Sequence, residues 1–577
     1  MVFDDISYLQ QNPLFLDSQS FSFPFHYQEF LQKPGKLGFD PELAMNFVLR
    51  PVAYATLHLN YLFDGFNPRW YRLFNVTIHA LNACLIYAVL QMLFIVAKSS
   101  MNITSKRRVS VIAATLFAVH PLAIESVTYI VQRFTSLGAF FYLLPLLLQI
   151  CAWSEAHEAR RQKWRWAALG TLLLGLFTKE CSITAPIMLV LIDVMICRTH
   201  WRDALRRNRL LLACLPIIPL HVMLISFVQN AGSLNLDHAM NMTNMQAAPY
   251  LYWDFALTQT TVLMHYFRLI LWPSGLVLDP EWPLYHSVFA GPVLSSTLLI
   301  LAIVGLALWM IKPAQTSLSR HLGGLCLLWF FITIIPSSGL VPLPDLVAEH
   351  RSYLPSVGIF IACALLLDFA VSKLAQLARF QLGMNRIIAV MVVMLCLTTW
   401  QRNSVWSSEI SLWQDVTEKS PDRARAWNNL GAAHIKRGQF KEAIPAYLRA
   451  IELLATYEIP YLNLMICYNQ MQSFSSTLLI REKLSQASPT AVENVQVLYQ
   501  EALARFGLKQ LEEAEDVLDE VVQKSPDHRP ALVLLGSTHQ QMRRHVSALR
   551  YFERAAELEA PNESLKELIS LSRRNFE

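Results

Sequence analysis

Residues 73–97 read LFNVTIHALNACLIYAVLQMLFIVA, a run without Asp, Glu, Lys or Arg that is long enough to cross a bilayer as one helix. Nine further apolar segments follow and predict ten crossings in total: 109–121, 124–150, 166–178, 182–197, 209–228, 291–311, 321–336, 350–370 and 386–400. Several are shorter than the roughly 20 residues that a spanning helix needs, so we expect their ends to include flanking polar positions. The sequence therefore predicts an all-α, polytopic helix bundle over residues 73–400.

The composition agrees with a membrane protein. Of 577 residues, 54% are apolar and 16% are charged, whereas soluble domains have about a quarter of their residues charged. The formal net charge of +5 is explained by Lys and Arg in short loops, and because no basic stripe with interleaved aromatic residues occurs, no nucleic-acid partner is predicted. The nine cysteines form no CxxC pair, which argues against a disulfide framework or a zinc site.

Loop charges predict the orientation. Five loops are basic and by the positive-inside rule face the cytoplasm: 98–109, 155–165, 198–209, 312–320 and 371–386. The later loops keep this orientation only if the apolar but polar-studded stretch 250–272 does not cross, so we predict an interfacial or re-entrant helix there. Residues 1–72 then form a first extracytoplasmic loop, and the C-terminus is also outside. Since the chain begins MVFDDISYLQ without an export signal, we expect that an upstream first helix is missing.

Beyond residue 400 the chain is as charged as a soluble helical protein and repeats with a period of 34 residues. The first and last repeats carry the expected small and large apolar residues: Trp427, Leu430, Gly431, Ala443, Tyr447 and Ala450, then Leu532, Leu535, Gly536, Ala548, Phe552 and Ala555. This spacing predicts a tetratricopeptide-repeat α-solenoid over 424–577, of about four repeats and a polar capping helix, joined to the bundle by a linker at 401–423.

Ionisable side chains cluster at the outward-facing ends of the apolar segments. They are Asp4, Asp5, His120, Glu125, Arg133, Lys179, Glu180, Glu349, His350, Arg351 and Tyr353, with Arg50 at the end of the first loop. Charges near membrane depth are costly, so this set predicts a cavity in which cations hold a phosphate and a carboxylate accepts a proton. For Arg133, a phosphate contact and a salt bridge with Glu125 are equally compatible with the sequence. For Arg50, a structural role and binding of a lipid phosphate are equally compatible with the sequence.

Several motifs together resemble one family. The stretches MVFDDISYLQQNP, FAVHPLAIESVTYIVQRFTSL, TKECSITAP and AEHRSYLPSVG, followed by the repeats, are similar to the transmembrane and tetratricopeptide-repeat O-mannosyltransferases, in a bacterial version. The resemblance implies a GT-C-like bundle and an inverting glycosyltransferase that uses a polyprenyl-phosphate sugar on the non-cytoplasmic face. The family's aspartate pair falls on Asp4 and Asp5, its His-Pro and Glu on His120, Pro121 and Glu125, its Lys-Glu on Lys179 and Glu180, and its Glu-x-Arg-x-Tyr on Glu349, Arg351 and Tyr353.

The sequence thus predicts a bacterial inner-membrane enzyme that transfers a sugar, with mannose expected, to Ser or Thr of an exported protein. Asp4 or Asp5 is the expected general base, Arg133, Lys179 and Arg351 are expected to bind the lipid phosphate, and the repeats are expected to recruit the acceptor. No cofactor is required by the sequence, and participation of a divalent metal is left open. Two alternatives stay open: the same fold acting on a glycan or lipid acceptor, and a non-catalytic scaffold for envelope or pilus assembly.

Overall fold

The computed structural model describes residues 5–16, 18, 46–229, 252–312, 317–338, 343, 345–374, 381–560 and 562–574. Within these ranges the regular secondary structure is helical, which confirms the all-α prediction. The chain divides into two units. The first comprises Met1–Leu278 and Trp282–Ser408, and the second comprises Asp279–Glu281 and Glu409–Glu577.

The first unit contains twelve described helices longer than ten residues. They are α1 Pro51–Asp64, α2 Pro68–Val96, α3 Ile103–Val119, α4 Arg133–Ser154, α5 Glu158–Leu176, α6 Ala185–Met195, α7 Ile217–Gln229, α8 Tyr252–Leu271, α9 Gly291–Ile311, α10 Leu318–Ser338, α11 Ser356–Leu374 and α12 Gln381–Val405. Short turns connect them: Ile6–Gln10, Pro13–Leu16, Pro121–Ala123, Ile124–Thr128, Ile130–Gln132, Glu180–Thr184, Trp201–Arg207, Arg209–Leu212 and Glu349–Ser352.

Six helices of the described chain are long and apolar enough to cross a membrane: α2, α4 with its preceding turn, α9, α10, α11 and α12. A seventh span results if α3 is counted together with Pro121–Thr128, from which it is bent by 52°. The chain is therefore a multi-pass membrane protein. The number of ten crossings stays a prediction, and three of its apolar segments, 166–178, 182–197 and 209–228, fall on helices that are not among these candidates.

The physical reason why these segments are not among the candidates differs between them. The helix α5 begins with EARRQKWR, so half of its length is too polar for hydrocarbon. The helix α6 has only 11 residues, and its side chains Met188, Leu189 and Ile192 are buried by protein. Residues 209–228 are interrupted between Leu212 and Ile217. An apolar run that packs inside a protein resembles, in sequence, one that faces lipid.

The helix α8 is continuous over 20 residues but is not one of the six. Its polar side chains Asp254 and Gln259 are buried, and Gln259 Nε2 donates to the carbonyl of Leu346 over 3.0 Å. A polar face that is satisfied by a neighbouring loop is typical of a helix embedded in protein. That α8 does not cross the membrane, and that the basic loops face the cytoplasm, stay predictions.

The helix α4 lies at the centre of the first unit. Within its most apolar window 67% of the residues are buried, compared with 6% for α9 and for α12. It packs along both α2 and α5. Since lipid solvates apolar side chains as well as protein does, α9 and α12 can remain peripheral, whereas α4 is held by packing and by polar contacts at its ends.

The first helix of the second unit is α13 Glu409–Lys419, so helices occupy 401–405 and 409–419 of the segment 401–423 that we predicted as a linker. Four helical pairs follow: α14 Ala424–Ile435 and α15 Phe440–Leu453, α16 Glu458–Gln470 and α17 Phe474–Ala487, α18 Val495–Gly507 and α19 Leu511–Lys524, and α20 Arg529–Gln541 and α21 His545–Leu558. The last helix is α22 Glu563–Arg574. Within this unit the carboxylate of Asp279 accepts hydrogen bonds from both Arg423 and Arg425.

Glycine permits the close approach of the paired helices in the first and last repeats. A Cβ added to Gly431 would lie 2.7 Å from the ring of Tyr447, and one added to Gly536 would lie 2.6 Å from the ring of Phe552. Both rings are fully buried and have no room to retreat. The small residue predicted at this repeat position is therefore required sterically.

We expect Gly536→Ala to lower the unfolding temperature of the repeats, because overpacking costs about 1–3 kcal/mol and outweighs the gain in helix propensity. Thermal unfolding of the full-length protein measures the effect. Gly305→Ala is the matched control, since a Cβ at that helical glycine meets no atom within 4 Å. Equal unfolding temperatures for the two variants would contradict the steric argument.

Candidate active site

A carboxylate and an imidazole from distant segments form the shortest contact of the site. Glu125 Oε1 lies 2.5 Å from Nδ1 of His350, and Glu125 Oε2 accepts the backbone N–H of His350 over 3.1 Å. Glu125 comes from the short helix Ile124–Thr128 and His350 from the turn Glu349–Ser352. An oxygen and a nitrogen at this separation hold a proton between them. Burial lowers the pKa of His350 well below its usual range, and the nearby Lys179 and Arg351 lower it further.

Arg50 and Glu180 form a second pair, between the start of α1 and the turn after α5. The guanidinium donates to the carboxylate over 3.2 Å, with 23% of the Arg50 side chain and 36% of the Glu180 side chain exposed. Burial alone would raise the pKa of Glu180, but the charges of Arg50 and Lys179 outweigh it and lower that pKa to about 2. Glu180 is therefore ionised, and it balances the two cations.

Lys179 points into protein toward α4. Its Nζ donates to Thr135 Oγ1 over 2.5 Å, and the Thr135 hydroxyl donates to Gln132 Oε1 over 2.9 Å. Gly138, one turn further along α4, makes room for the lysine, because a Cβ there would lie 2.9 Å from Lys179 Cβ. Burial lowers the pKa of Lys179, and the adjacent Glu180 opposes that shift.

These groups belong to one electrostatic site. The charges of Lys179, Arg351 and Arg50 all act on His350. Those of Arg50 and Arg351 also act on Lys179. Five of the predicted residues, from four segments of the chain, are therefore brought together: Arg50, Glu125, Lys179, His350 and Arg351. With Glu180 they give three cations close to two carboxylates.

Arg133 has a different environment. It is fully buried at the start of α4, and its guanidinium donates to four acceptors: Asn75 Oδ1 at 2.7 Å, Asn60 Oδ1 at 2.6 Å, the Thr56 carbonyl at 2.9 Å and the Tyr71 carbonyl at 3.1 Å. The ring of Phe74 stacks 4.6 Å from its carbon Cζ. The predicted salt bridge with Glu125 is not among its contacts in the described chain, and the phosphate contact would require this cage to open. The structure gives Arg133 a structural role.

The side chains of the predicted Glu-x-Arg-x-Tyr motif form hydrogen bonds mainly with backbone groups and with a neighbouring helix. Glu349 Oε1 accepts the N–H of Val277 over 2.6 Å, and Arg351 donates to the carbonyl of Asp345 over 2.9 Å. The Tyr353 hydroxyl lies 2.7 Å from Nδ1 of His79 on α2. Within this motif Arg351 is the residue whose charge reaches the site, while Glu349 and Tyr353 hold the turn in place.

Asp5 is buried, and its Oδ1 accepts the N–H of Val131 over 2.9 Å. Val131 belongs to the turn that leads into α4, so Asp5 is fixed to the central helix of the unit. The same N-terminal segment carries Tyr8, whose charge acts on Arg50. The other predicted aspartate, Asp4, lies outside the described residues.

His120 lines the end of a large apolar groove. The groove has a volume of about 600 Å³ and runs between the ends of α3 and α8 and the facing sides of α11 and α12. Its lining includes Leu116, Phe360, Cys363, Leu366, Met391 and Met394. His120 also closes the bend before Pro121–Ala123, a turn that contacts Glu349–Ser352. His120 therefore connects the lining of the groove to the turns that carry Glu125 and His350.

Sequence reasoning missed two residues that act on the site, Arg402 and Thr135, and a third, Asn75, that holds the structural Arg133. Arg402 near the end of α12 acts on Glu125 by its charge, although its position beyond residue 400 assigned it to a linker. Thr135 and Asn75 are polar residues inside apolar runs, which is a signal that could have been used. Among the described residues no group of three or more His, Cys, Asp or Glu side chains is arranged to hold a metal ion.

Comparison with known proteins first defines the class of the repeat region. Residues 424–457 and 496–528 match the family model described as tetratricopeptide repeat. Among solved structures the chain is similar to MamA from Desulfovibrio magneticus RS-1, with 17% identity, 27% of this chain and 85% of that chain covered, and a TM-score of 0.25. A further MamA structure, AMB-1, has 22% identity over 26% of this chain and 86% of that chain, with a TM-score of 0.24.

Relatives that align over most of this chain define its similarity more narrowly than the repeats do. The chain is 25% identical to human protein O-mannosyl-transferase TMTC3 over 89% of this chain and 58% of that protein. It is 25% identical to Drosophila melanogaster Tmtc3 over 74% and 50%, and 26% identical to human TMTC4 over 69% and 57%. The chain is thus distantly homologous to the protein O-mannosyl-transferases of this group, and spans little more than half the length of these relatives.

The cage around Arg133 predicts that even a conservative change there destabilises the fold. A lysine in Arg133→Lys cannot reach acceptors on both α1 and α2, and each acceptor left unsatisfied costs about 1–3 kcal/mol. We expect Arg133→Lys to lower the unfolding temperature sharply in detergent.

Arg50→Lys is the matched control, because it keeps a cation opposite the partly exposed Glu180. It should unfold close to the wild-type temperature. A stable Arg133→Lys protein that loses only donor affinity would instead make Arg133 a phosphate ligand.

Proposed function

We propose that this protein is a membrane glycosyltransferase that moves a sugar from a polyprenyl phosphate to Ser or Thr hydroxyls of an exported protein. The observation that carries the proposal is that His120 lines a large apolar groove, while the turn after His120 contacts the turn carrying Arg351, which belongs to a cation cluster with Arg50 and Lys179. Distant homology to protein O-mannosyl-transferases supports it and favours mannose as the sugar. The bacterial inner membrane, with the site and the repeats outside the cytoplasm, is the proposed location.

The groove suits the isoprenoid part of such a donor. Its walls are apolar side chains of α11 and α12, and α12 is almost entirely unburied, so a lipid can enter from the bilayer side. A tail lying there would bring its phosphate to the His120 end. The three cations lie near the adjoining turns and can share the negative charge of the leaving phosphate.

The proposed transfer is a single displacement. The acceptor hydroxyl oxygen bonds to C1 of the sugar as the bond from C1 to the phosphate oxygen breaks. The electron pair of that bond stays on the phosphate, and the hydroxyl proton passes to a carboxylate. We assign this base role to the Asp4–Asp5 pair. The N–H of Val131 fixes Asp5 at the start of α4.

The Glu125–His350 pair is assigned to positioning. It links the turn after His120 to the turn that carries Arg351, so it holds the groove end and the cations at a constant separation. Glu180 keeps Arg50 and Lys179 paired until an anionic donor arrives. The repeats are proposed to bind the acceptor chain, which is what solenoids of paired helices commonly do.

A scaffold that only anchored repeats would not require this site. Burying three cations and two carboxylates at the ends of membrane helices costs free energy that a purely structural bundle avoids with apolar residues. The enzyme hypothesis explains why these charges come from distant segments and meet. A glycan or lipid acceptor is the alternative outcome of acceptor assays.

The catalytic proposal is tested with Asp5→Asn. The amide oxygen of Asn can still accept the N–H of Val131, so the fold is retained, but the side chain no longer accepts a proton. Loss of a general base lowers rates by about 10² to 10⁴. Transfer of labelled mannose from polyprenyl phosphate to a Ser/Thr peptide by the purified protein measures this loss.

Asp64→Asn is the control, because Asp64 is an exposed carboxylate at the end of α1. It should transfer at the wild-type rate. Asp4→Asn is assayed in parallel, since either member of the pair can be the base. Unchanged rates in both variants would remove the aspartate pair from the mechanism and leave Glu180, the most exposed of the remaining carboxylates, as the next candidate.

The groove makes a separate prediction. In Cys363→Trp the indole would fill part of the groove and displace the isoprenoid tail. Loss of contact with two methylene groups, at about 0.8 kcal/mol each, raises KM for the lipid donor about tenfold. The rate at saturating donor should change little.

Leu301→Trp is the matched control, since Leu301 is 61% exposed on the peripheral helix α9. A donor with a shortened tail adds a second comparison, because its KM should differ less between Cys363→Trp and wild type. The same KM in all three proteins would show that the tail binds elsewhere.

A further inference from the structure

A second cavity, lined by arginines, lies at the opposite end of α4 from the candidate active site. Its volume is about 390 Å³, and it is lined by Gln149, Gln162, Arg165, Arg206, Arg207, Asn208, Arg209, Leu210 and Leu211. Gln149 is 16 residues beyond Arg133, which places the two ends about 24 Å apart along the helix axis. This cavity takes no part in the transfer reaction proposed above.

Its charges are only partly balanced by protein. Arg207 donates to the buried carboxylate of Asp193 over 2.9 Å, and Arg206 lies 3.7 Å from Asp203. Ion pairs among the described residues involve Arg206 and Arg207 at this cavity but neither Arg165 nor Arg209. The Nε atom of Arg165 is also buried without a hydrogen-bond acceptor. Four guanidinium groups around one cavity therefore face two carboxylates.

The floor of the cavity is rigid. Gln149 Nε2 donates to the Arg207 carbonyl over 3.2 Å and to Asn208 Oδ1 over 3.0 Å, which ties the turn carrying the arginines to α4. Asn208 in turn donates to the carbonyl of Ala204 over 2.8 Å. The arginines therefore project from a fixed backbone, so an anion bound there would not have to order a loop.

Tryptophans place the cavity at the level of lipid headgroups. Trp164 and Trp166 flank Arg165 in sequence and are 39% and 60% exposed, and Trp201 is 53% exposed. Trp153, one residue before the end of α4, stacks 5.3 Å from the guanidinium of Arg207. Tryptophan collects at membrane–water interfaces, where phosphodiester groups of phospholipids also lie.

We propose that this cavity binds the phosphate of an anionic phospholipid headgroup. Basic pockets between membrane helices are suited to such headgroups, and guanidinium groups match phosphate oxygens with paired N–H donors. Arg165 and Arg209 supply the charge that the protein leaves unbalanced. The bound lipid would fasten the turns after α6 to the ends of α4 and α5, far from the site of transfer.

The test uses the full-length protein in a neutral detergent. Phosphatidylglycerol, phosphatidylcholine with the same acyl chains, and inorganic phosphate are added separately. Native mass spectrometry counts bound lipid, and thermal unfolding measures stabilisation. Wild type should retain and be stabilised by phosphatidylglycerol in preference to phosphatidylcholine, and the effect should weaken as salt is raised.

The variant R165Q/R209Q removes both unbalanced charges and should bind phosphatidylglycerol at least about tenfold more weakly. Arg160→Gln is the control at the same end of the bundle, because its side chain is 61% exposed and lies outside the cavity. The single variant Arg209→Gln, at an exposed position, guards against misfolding of the double variant.

Three results would overturn the proposal, the first two of them in lipid binding. These two are equal binding of phosphatidylglycerol to wild type and R165Q/R209Q, and equal binding of the two lipids to wild type. The third is stabilisation by inorganic phosphate alone that R165Q/R209Q abolishes, which would keep a phosphate site but reject lipid as its source. Transfer activity is not the readout, so the outcome is independent of the glycosyltransferase proposal.

Discussion

A guanidinium buried at the start of the central helix has to be satisfied entirely by protein, and much of the first unit is arranged around that requirement. Arg133 takes acceptors from α1, from the start of α2 and from a side chain further along α2. Withdrawing any of them would leave a charge-assisted hydrogen bond unmade in a medium of low dielectric constant. The mutual position of α1, α2 and α4 is therefore set by polar geometry, and apolar packing fills in around it.

Once those three helices are fixed, the candidate site follows from short turns at their ends. On α4, Thr135 accepts a hydrogen bond from Lys179 and Gly138 leaves room for the lysine side chain. In the turn before α4, the N–H of Val131 donates to Asp5. The turns after α3 and before α11 then meet through Glu125 and His350. Turns of three to five residues carry most of the chemistry because they can aim a side chain inward while the long helices remain apolar.

Sequence alone located the longest spans well. The apolar runs 73–97, 291–311 and 321–336 agree with α2, α9 and α10 to within a few residues, because hydrocarbon demands an uninterrupted apolar stretch. It did not distinguish α5 and α6 from the six candidate spans, since apolar residues buried in protein give the same signal. The glycines of the first and last repeats could be predicted, because close packing of the paired helices requires a residue without a side chain at the same position of each repeat.

The presence of a charged site at the helix ends could be predicted from the sequence, but the role of each residue in it could not. Charges at helix ends indicated a polar cavity, yet whether Arg133 or Lys179 serves it depends on which neighbours accept their hydrogen bonds. Those neighbours, Asn60 and Asn75 for the arginine and Thr135 for the lysine, lie on other helices. The apolar groove has no local sequence signature, because it arises where α11 and α12 diverge.

The exposed position of α12 has a consequence for how the protein meets a substrate. Only 6% of the residues in the most apolar window of α12 are buried, so in a bilayer the groove that α12 lines can be entered from the lipid side. A molecule entering there arrives by two-dimensional diffusion, and the quantity that sets its occupancy is its mole fraction among lipids. For the lipid donor proposed above, dilution of the same amount into more detergent would lower occupancy at constant bulk concentration. Apparent affinities of this protein are therefore comparable only at a stated ratio of donor to total amphiphile.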